Sequence, residues 1–296
     1  MIRSFCENHN ILLETDVILA EKTTFRIGGP ADYAVYPENT AQMAALIRFL
    51  NENHLRYFVL GRGSDILAAD EGYRGIIVMT KAMNALRCEG RKIFAGAGCS
   101  MTAVSNLALK NSLAGLEFLH GIPGSVGGGV FMNAGAYGSE MAEFLESVEW
   151  VDMKGEIHVS PVAELDLSYR HSRFVNHPGI VCSAVFSCPV GDVEQIKATI
   201  SDLNARRREK QPLEYPSAGS AFKRPVGHFA GKLIEDSGLK GYSVGDAWVS
   251  EKHAGFIVNK GRASCAQVKE LISHVIEKVR SDTGITLEPE IRFLDE

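Results

Sequence analysis

The chain lacks long apolar runs and an excess of positive charge. No apolar stretch approaches the roughly 18 residues that span a bilayer, so we expect no membrane-spanning segment. The net charge of −5 argues against a nucleic-acid partner, because such a partner calls for a strongly basic surface. The N-terminal stretch MIRSFCENHNILLETD has no apolar core of signal-peptide length, so we expect a cytoplasmic protein.

Cysteine is also scarce, with six residues in 296, which is too few for a disulfide-stabilised scaffold. The cysteines are scattered and form no C-x-x-C pair. Cys182 and Cys188 lie six positions apart without a histidine at metal-ligand spacing. We therefore expect buried or unreactive thiols and no metal site.

The remaining composition is that of a globular protein. Apolar residues make up 45% of the chain and charged residues 23%. A chain of 296 residues can bury a sizeable core and suggests about two domains.

Apolar periodicity in the first half predicts alternating helices and strands. The stretch 40–54 has helical spacing, and Thr40 is available as its N-cap. A second helix is predicted at 102–111, and strands are predicted at 56–60, 75–79, 92–97 and 150–153.

The second half contains a break between two periodic regions. A strand at 181–190 and a helix at 193–210 come first, and Pro212 ends the helix. The stretch 211–220 has two prolines and no periodicity, so we place the boundary of a second unit there. Further helices are predicted at 231–237 and 265–283, and strands at 255–259 and 286–294; the last helix has an apolar face formed by Val268, Leu271, Ile272, Val275 and Val279.

The stretch from Gly121 to Gly138 reads GIPGSVGGGVFMNAGAYG and contains seven glycines. Glycine loses much backbone freedom on folding, so this run is a poor interior for a helix or a strand. It suits sharp turns at which backbone N–H groups face an anion, and phosphate is the usual one. The alternative is a series of tight turns with no ligand.

A second glycine-rich loop, GRGSD at 61–65, directly follows a predicted strand. Neither loop fits the G-x-G-x-x-G dinucleotide motif or a Walker loop. Two such loops in one unit suggest a ligand with a pyrophosphate that is held from two sides.

Six motifs along the chain resemble those of the UDP-N-acetylenolpyruvoylglucosamine reductase family. They occur in the family's order and extend from Thr24 to the C-terminal region. The motifs are TFRIGGPA (24–31), GRGSDIL (61–67), GIPGSVGG with MNAGAYG (121–138), SYRHSRF (168–174), SAGSAFKRP (217–225) and LEPEIRF (287–293).

The resemblance implies an α+β fold. A two-part FAD-binding region of the vanillyl-alcohol-oxidase (PCMH) type would be followed by a smaller α/β substrate domain. We expect the first FAD-binding subdomain at 1–78, the second at 79–190 and the substrate domain at 191–296, with the final strand returning towards the FAD region. The strand at 181–190 leads almost directly into the next helix, which leaves no room for the tyrosine-bearing loop of some family members.

The implied reaction is the NADPH-dependent reduction, through non-covalently bound FAD, of the enolpyruvyl group of UDP-N-acetyl-3-O-(1-carboxyvinyl)glucosamine. The product, UDP-N-acetylmuramate, is a peptidoglycan precursor, which connects the protein with cell-wall biogenesis, cell shape and cell division. An alternative is a flavin oxidase of the same FAD-binding superfamily that acts on a hydroxy acid or sugar. A third hypothesis is a non-catalytic nucleotide-binding protein.

The resemblance also implies three catalytic residues. Arg170 would bind the substrate carboxylate, because a guanidinium holds a carboxylate in bidentate fashion. Ser220 would donate the proton, and Glu290 would assist formation of the enol, with Glu288 as the nearby alternative.

Other residues are carried over as ligand contacts. Asp65 departs from the family's usual asparagine, and its charge would repel a pyrophosphate unless the carboxylate turns away. Tyr169, Lys223 and Arg224 are the predicted substrate contacts. The predicted FAD contacts are Gly61, Arg62, Gly63, Ser64, Asp65, Gly121, Ile122, Pro123, Gly124, Gly127, Gly128, Asn133, Ala134 and Tyr137.

Overall fold

The structure is a computed structural model that describes residues 1–295. This part of the chain combines helices and strands in the α+β arrangement that was predicted. Its α-helices are α1 (Ile2–Asn8), α2 (Thr40–Glu52), α3 (Met101–Lys110), α4 (Val126–Phe131), α5 (Arg173–Asn176), α6 (Val193–Lys210), α7 (Ala230–Asp236) and α8 (Cys265–Thr283).

The strands form two four-stranded sheets, one five-stranded sheet and two small pairs. The strands are β1 (Leu12–Ile18), β2 (Pro30–Tyr36), β3 (Tyr57–Leu60), β4 (Ile66–Ala68), β5 (Tyr73–Met79), β6 (Leu86–Glu89), β7 (Lys92–Gly96), β8 (Gly135–Ala136), β9 (Ser139–Glu140), β10 (Leu145–Asp152), β11 (Ile157–Pro161), β12 (Gly179–Ser187), β13 (Ser217–Ser220), β14 (Ser243–Val244), β15 (Ala247–Val249), β16 (Phe256–Asn259) and β17 (Arg292–Leu294). The strand orders in the sheets are β1-β2-β5-β3, β11-β10-β12-β7-β6 and β13-β16-β15-β14, and the pairs are β17-β4 and β8-β9.

The chain divides into two compact units that are both discontinuous in sequence. Unit 1 contains Met1–Thr15, Tyr33–Arg62 and Gly75–Arg206, and unit 2 contains Asp16–Asp32, Gly63–Arg74 and the chain from Arg207 onwards. These two units are defined by contacts within the chain, whereas the predicted division is defined by which ligand each segment binds. The functional division at 1–78, 79–190 and 191–296 therefore stays a prediction.

In unit 1, helix α2 packs its apolar face against strands of two sheets. Met43, Leu46, Ile47 and Leu50 recur at helical spacing and are all buried in one core cluster. That cluster also takes residues from β5 and from β12. The predicted N-cap of this helix is wrong, because the Asn39 side chain, not Thr40, accepts the N–H of Gln42 at 3.0 Å.

In unit 2, the long helix α8 covers one four-stranded sheet. Its predicted apolar face is buried in the unit 2 core. The N-terminal end of α8 is held by the Asp70 carboxylate, which accepts the N–H groups of Cys265 at 2.7 Å and Ala266 at 3.0 Å. A carboxylate there satisfies N–H groups that the helix leaves without partners and opposes the positive end of the helix dipole.

The final strand is shorter than predicted. The sequence predicts a strand over 286–294, but β17 begins at Arg292 and pairs in parallel with β4. The preceding residues bond elsewhere, with Phe222 opposite Pro289 in an isolated bridge. Proline lacks a backbone N–H, so a regular ladder cannot continue through Pro289. In residues 1–295, no helix combines the length and the apolar character that crossing a membrane requires.

Candidate active site

The two glycine-rich loops meet within unit 1, at Gly61 and Ser125. A Cβ atom placed on Gly61 would lie 2.4 Å from the Ser125 Oγ and 3.9 Å from the Thr80 Oγ1. A Cβ at the first of these distances would clash, so a side chain at position 61 would displace the Ser125 hydroxyl. Gly61 directly follows β3, and Ser125 is the N-cap residue of α4, so a strand end and a helix start are joined at this point.

Two hydroxyl groups beside Gly61 indicate a ligand. The Ser125 Oγ and the Thr80 Oγ1 are both buried, and neither has a hydrogen-bond partner within the described chain. Buried polar groups are nearly always bonded, so an unbonded pair next to a backbone without a side chain is suited to a polar ligand. This arrangement fits a phosphate-bearing cofactor such as FAD. The sequence analysis missed both hydroxyls, although Ser125 lies inside the glycine run.

The last three residues of the first loop, Gly63, Ser64 and Asp65, belong to unit 2. Gly63 has a φ of +61°, and a Cβ there would meet the Lys22 carbonyl oxygen at 2.5 Å. The backbone carbonyl of Asp65 accepts the N–H of Arg292 at 3.0 Å. Burial lowers the pKa of the Arg292 side chain, and the nearby Asp65 carboxylate partly offsets this by raising it. Asp65 therefore acts electrostatically on Arg292.

The glycine run contains a helix, which the sequence analysis did not predict. Helix α4 includes Gly127, Gly128 and Gly129. A Cβ on Gly127 would lie 2.9 Å from the Ala97 Cβ, and one on Gly129 would lie 2.7 Å from the Met101 Cε. Among the glycines of the run, only Gly121 and Gly138 have positive φ. Close packing, more than turning, thus explains Gly127 and Gly129 inside α4.

Asn133 connects the glycine run to the segment that carries Arg170. Its Nδ2 donates to the Ser168 carbonyl at 3.2 Å, and its Oδ1 accepts the N–H of Ala142 at 3.0 Å. The residue is buried and has a φ of +42°. Both ends of its amide are therefore used to hold the protein backbone. The neighbouring Tyr137 also has positive φ and is partly exposed.

Arg170 lies at the tip of a tight turn in unit 1. Ser168 and His171 exchange two backbone hydrogen bonds, at 3.2 and 3.1 Å, with Tyr169 and Arg170 between them. Arg170 has a φ of +54°, and its guanidinium carbon lies 5.0 Å from the centre of the Tyr169 ring. A left-handed conformation is uncommon for arginine and is found where the surrounding structure fixes it.

The segments that carry Ser220 and Glu290 are neighbours in unit 2, and the residue that joins them is Ala221, which directly follows Ser220. Ser220 ends β13 opposite Phe256 of β16. The carbonyl of Ala221 accepts the N–H of Glu290 at 2.9 Å. Two of the predicted catalytic residues, separated by 70 positions in sequence, thus lie on bonded neighbouring segments.

Two of the predicted substrate contacts, Lys223 and Arg224, follow Ser220 on the same segment. The ammonium group of Lys223 forms an ion pair with the Glu288 carboxylate, and the backbone N–H of Lys223 donates to the Glu288 carbonyl at 2.9 Å. Glu288, the alternative to Glu290 in the sequence analysis, is thus engaged with a lysine. The Arg224 guanidinium carbon lies 4.7 Å from the centre of the Phe229 ring.

Comparison with known proteins identifies the family. Residues 211–294 match the model of the UDP-N-acetylenolpyruvoylglucosamine reductase C-terminal domain, and residues 31–160 match that of an FAD binding domain. A UDP-N-acetylenolpyruvoylglucosamine reductase of Clostridium novyi is 47% identical over 96% of this chain and 92% of its own. The chain belongs to the UDP-N-acetylenolpyruvoylglucosamine reductase family.

Further members of the reductase family are also similar to this chain over nearly its whole length. A reductase of Clostridium beijerinckii is 45% identical over 96% of this chain and 93% of its own. The crystal structure of the Thermus caldophilus reductase superposes with a TM-score of 0.83 at 34% identity and covers 96% of this chain and 100% of the other. The family, the PCMH-type FAD-binding fold and an FAD-containing oxidoreductase are thus confirmed, against the alternatives of a flavin oxidase and a non-catalytic binder.

Proposed function

We propose that this chain reduces the enolpyruvyl group of UDP-N-acetyl-3-O-(1-carboxyvinyl)glucosamine to give UDP-N-acetylmuramate for peptidoglycan synthesis. NADPH is the electron donor and FAD the bound cofactor, as in its family. One observation supports this assignment most directly. In the region that matches the reductase C-terminal domain, a main-chain hydrogen bond through Ala221 joins the segments of Ser220 and Glu290.

Gly61, Thr80 and Ser125 are the residues that fit the cofactor, together with the glycine-loop residues predicted from the sequence. When bound, and once reduced by NADPH, the flavin would supply the hydride that is added to the terminal vinyl carbon of the substrate. The protein must then stabilise negative charge beside the substrate carboxylate and deliver one proton to the neighbouring carbon. Hydride and proton together saturate the double bond.

Arg170 binds the substrate carboxylate in this proposal. Its guanidinium stays charged at all physiological pH values, and its planar donors match the two carboxylate oxygens. The hydrogen-bonded turn between Ser168 and His171 fixes its backbone. A fixed arginine stabilises the charge that develops on the carboxylate side without having to reorganise.

Ser220 donates the proton, and Glu290 assists formation of the enol. A serine hydroxyl is a weak acid, so it serves only when the carbon that receives the proton is strongly basic. Placing Glu290 on the adjacent bonded segment offers a second group for the developing enolate. Lys223 and Arg224, with Tyr169, are the proposed contacts for the substrate pyrophosphate, and guanidinium and ammonium groups suit that ligand.

The proposal is tested by measuring the two half-reactions of Ser220→Ala separately under anaerobic conditions. NADPH should still bleach the flavin of this variant at close to the normal rate. Reoxidation by the enolpyruvyl UDP-sugar should be slower by orders of magnitude, because the proton is needed only in that step.

Equal losses in both half-reactions would indicate a structural serine. Ser217→Ala, at the other end of β13, is the matched control and should leave both rates close to normal. If air but not the UDP-sugar reoxidised the normal flavin, the reductase assignment itself would fail. A cytoplasmic location and the absence of a nucleic-acid partner stay predictions.

A further inference from the structure

A compact loop in unit 2 is built around the side chains of Ser250 and His253. The Ser250 Oγ accepts the N–H groups of Lys252 and His253, both at 3.2 Å. The His253 Nδ1 accepts the N–H of Gly255 at 3.1 Å. The backbone closes the loop, because Phe256 donates to the His253 carbonyl and Ser250 donates to the Phe256 carbonyl, both at 2.9 Å.

Two further hydrogen bonds continue from this loop to the predicted catalytic residues. The Gly255 carbonyl accepts the N–H of Ala221 at 2.7 Å, and the Ala221 carbonyl accepts the N–H of Glu290 at 2.9 Å. The first of these bonds fixes the peptide that follows Ser220. The second fixes the backbone of Glu290. Together with the bond from the Gly255 N–H to the His253 Nδ1, these hydrogen bonds connect His253 to the segments of Ser220 and Glu290.

We infer that His253 is a positioning residue for the proton-transfer step, because its Nδ1 holds the N–H of Gly255, and the carbonyl of the same residue sets the position of the Ser220 segment relative to Glu290. This inference rests on the roles assigned to Ser220 and Glu290 above. His253 itself has no contact with the reacting atoms in this scheme.

The chemical state of the imidazole suits this role. An Nδ1 that accepts a hydrogen bond from a backbone N–H carries no proton, so the ring must be the neutral Nε2–H tautomer. Burial lowers the pKa of His253, which keeps the ring neutral at physiological pH. A protonated ring would have a donor at Nδ1 and would lose this bond.

The ring also packs closely against two glycines. A Cβ on Gly231 would lie 3.1 Å from the His253 Cε1, and one on Gly255 would lie 2.9 Å from the same atom. Phe256 packs edge-on against the ring with centroids 5.1 Å apart. In this packing arrangement the His253 Nδ1 faces the Gly255 N–H.

The experiment compares His253→Ala and His253→Asn with the unmodified enzyme, all loaded with FAD. Asparagine can place its Oδ1 near the position of the histidine Nδ1, and alanine has no acceptor. In His253→Ala we expect the reoxidation of reduced enzyme by the enolpyruvyl UDP-sugar to slow about 10- to 100-fold, the size of effect that misplaced groups cause. Flavin reduction by NADPH should change less than threefold, and His253→Asn should recover most of the lost rate.

His274→Ala is the matched control. His274 is a second half-buried histidine of unit 2, and it stacks on Tyr242 with centroids 4.3 Å apart and lies outside the hydrogen-bond series. Its loss should leave both half-reactions unchanged. Parallel losses in both half-reactions of His253→Ala, or no recovery in His253→Asn, would overturn the inference.

A readout that does not depend on catalysis is the protonation of the His253 ring in the unmodified protein. Nitrogen-15 NMR of the labelled ring should show Nδ1 without a proton and Nε2 with one at pH 7.5. A proton on Nδ1 at that pH would rule out the bond to Gly255 and overturn the inference, whatever the variants do.

Discussion

At the scale of single residues, the predicted site contains three non-glycine residues in the left-handed backbone region. They are Asn133, Tyr137 and Arg170, with φ values of 42°, 57° and 54°. Each costs conformational energy, and such residues persist where surrounding bonds hold them, often at functional sites. Nothing in the sequence indicated these conformations, because they depend on bonds such as that from Asn133 to the Ser168 carbonyl.

Asp65 is the residue whose substitution best tests the first glycine loop. We expect Asp65→Asn to bind FAD at least as tightly as the unmodified protein, because the variant removes a negative charge that repels a pyrophosphate. The dissociation constant can be measured by flavin fluorescence after the apoprotein is reconstituted with FAD.

Asp32→Asn is a suitable control, since Asp32 forms an ion pair with the exposed Arg74 at 2.8 Å and lies outside the loop. Weaker FAD binding by Asp65→Asn alone would show that the aspartate has a positive role. The electrostatic interaction of the Asp65 carboxylate with the Arg292 guanidinium would then be the first interaction to examine.

At the scale of elements, sequence periodicity predicted the long amphipathic segments well and the glycine-rich helix not at all. Helices α6 and α8 have the predicted bounds, because their patterns are long and end at Pro212 and Gly284. Helix α4 was missed because its glycines are unfavourable for a helix by intrinsic propensity. Its packing against Ala97 and Met101 overrides that preference.

This interpretation of α4 predicts opposite results for two adjacent glycines. Gly127→Ala should lower the free energy of unfolding by about 1–3 kcal/mol, since its Cβ would press against the backbone and Cβ of Ala97. Gly128→Ala should be neutral or stabilising by up to about 1 kcal/mol, because its Cβ would make only an ordinary 3.7 Å contact and alanine favours the helix. Urea unfolding of the two apoproteins measures both effects, and equal destabilisation would contradict the packing explanation.

At the scale of the whole molecule, both compact units bury thiols, as the sequence analysis expected. All six cysteines are free, and only Cys88 is half-buried instead of buried. Burial raises the pKa of Cys182 and of Cys188 from 9.0 to about 12, and that of Cys6 and of Cys265 to about 11. These side chains serve as core residues.

The raised thiol pKa values predict a loss of stability in alkali. Between pH 9 and about 12, thiols of the unfolded chain release protons that the folded chain retains, so the free energy of unfolding falls as the pH rises. Below pH 9 the thiols are protonated in both the folded and the unfolded chain, so their contribution to the free energy of unfolding is fully present there. Denaturant unfolding at several pH values measures this slope.

Lysine and tyrosine also titrate in that range, so the informative comparison is between variants. Cys182→Ala removes one buried thiol and should make the fall of the unfolding free energy with pH shallower, by up to about 1.4 kcal/mol for each pH unit. Cys88→Ala, at the half-buried position, is the control. An equal slope in both variants would show that the Cys182 thiol titrates normally in the folded protein.

The sequence by itself determined the family, the cofactor class and most regular elements. Ordered motifs such as SYRHSRF and LEPEIRF, and periodic runs such as 265–283, are local properties of the chain. Only the tertiary structure decided which hydroxyls lie beside Gly61, and which carbonyl holds the N–H of Glu290. Those contacts join residues far apart in sequence, and their geometry depends on close packing and backbone pairing that no local pattern encodes.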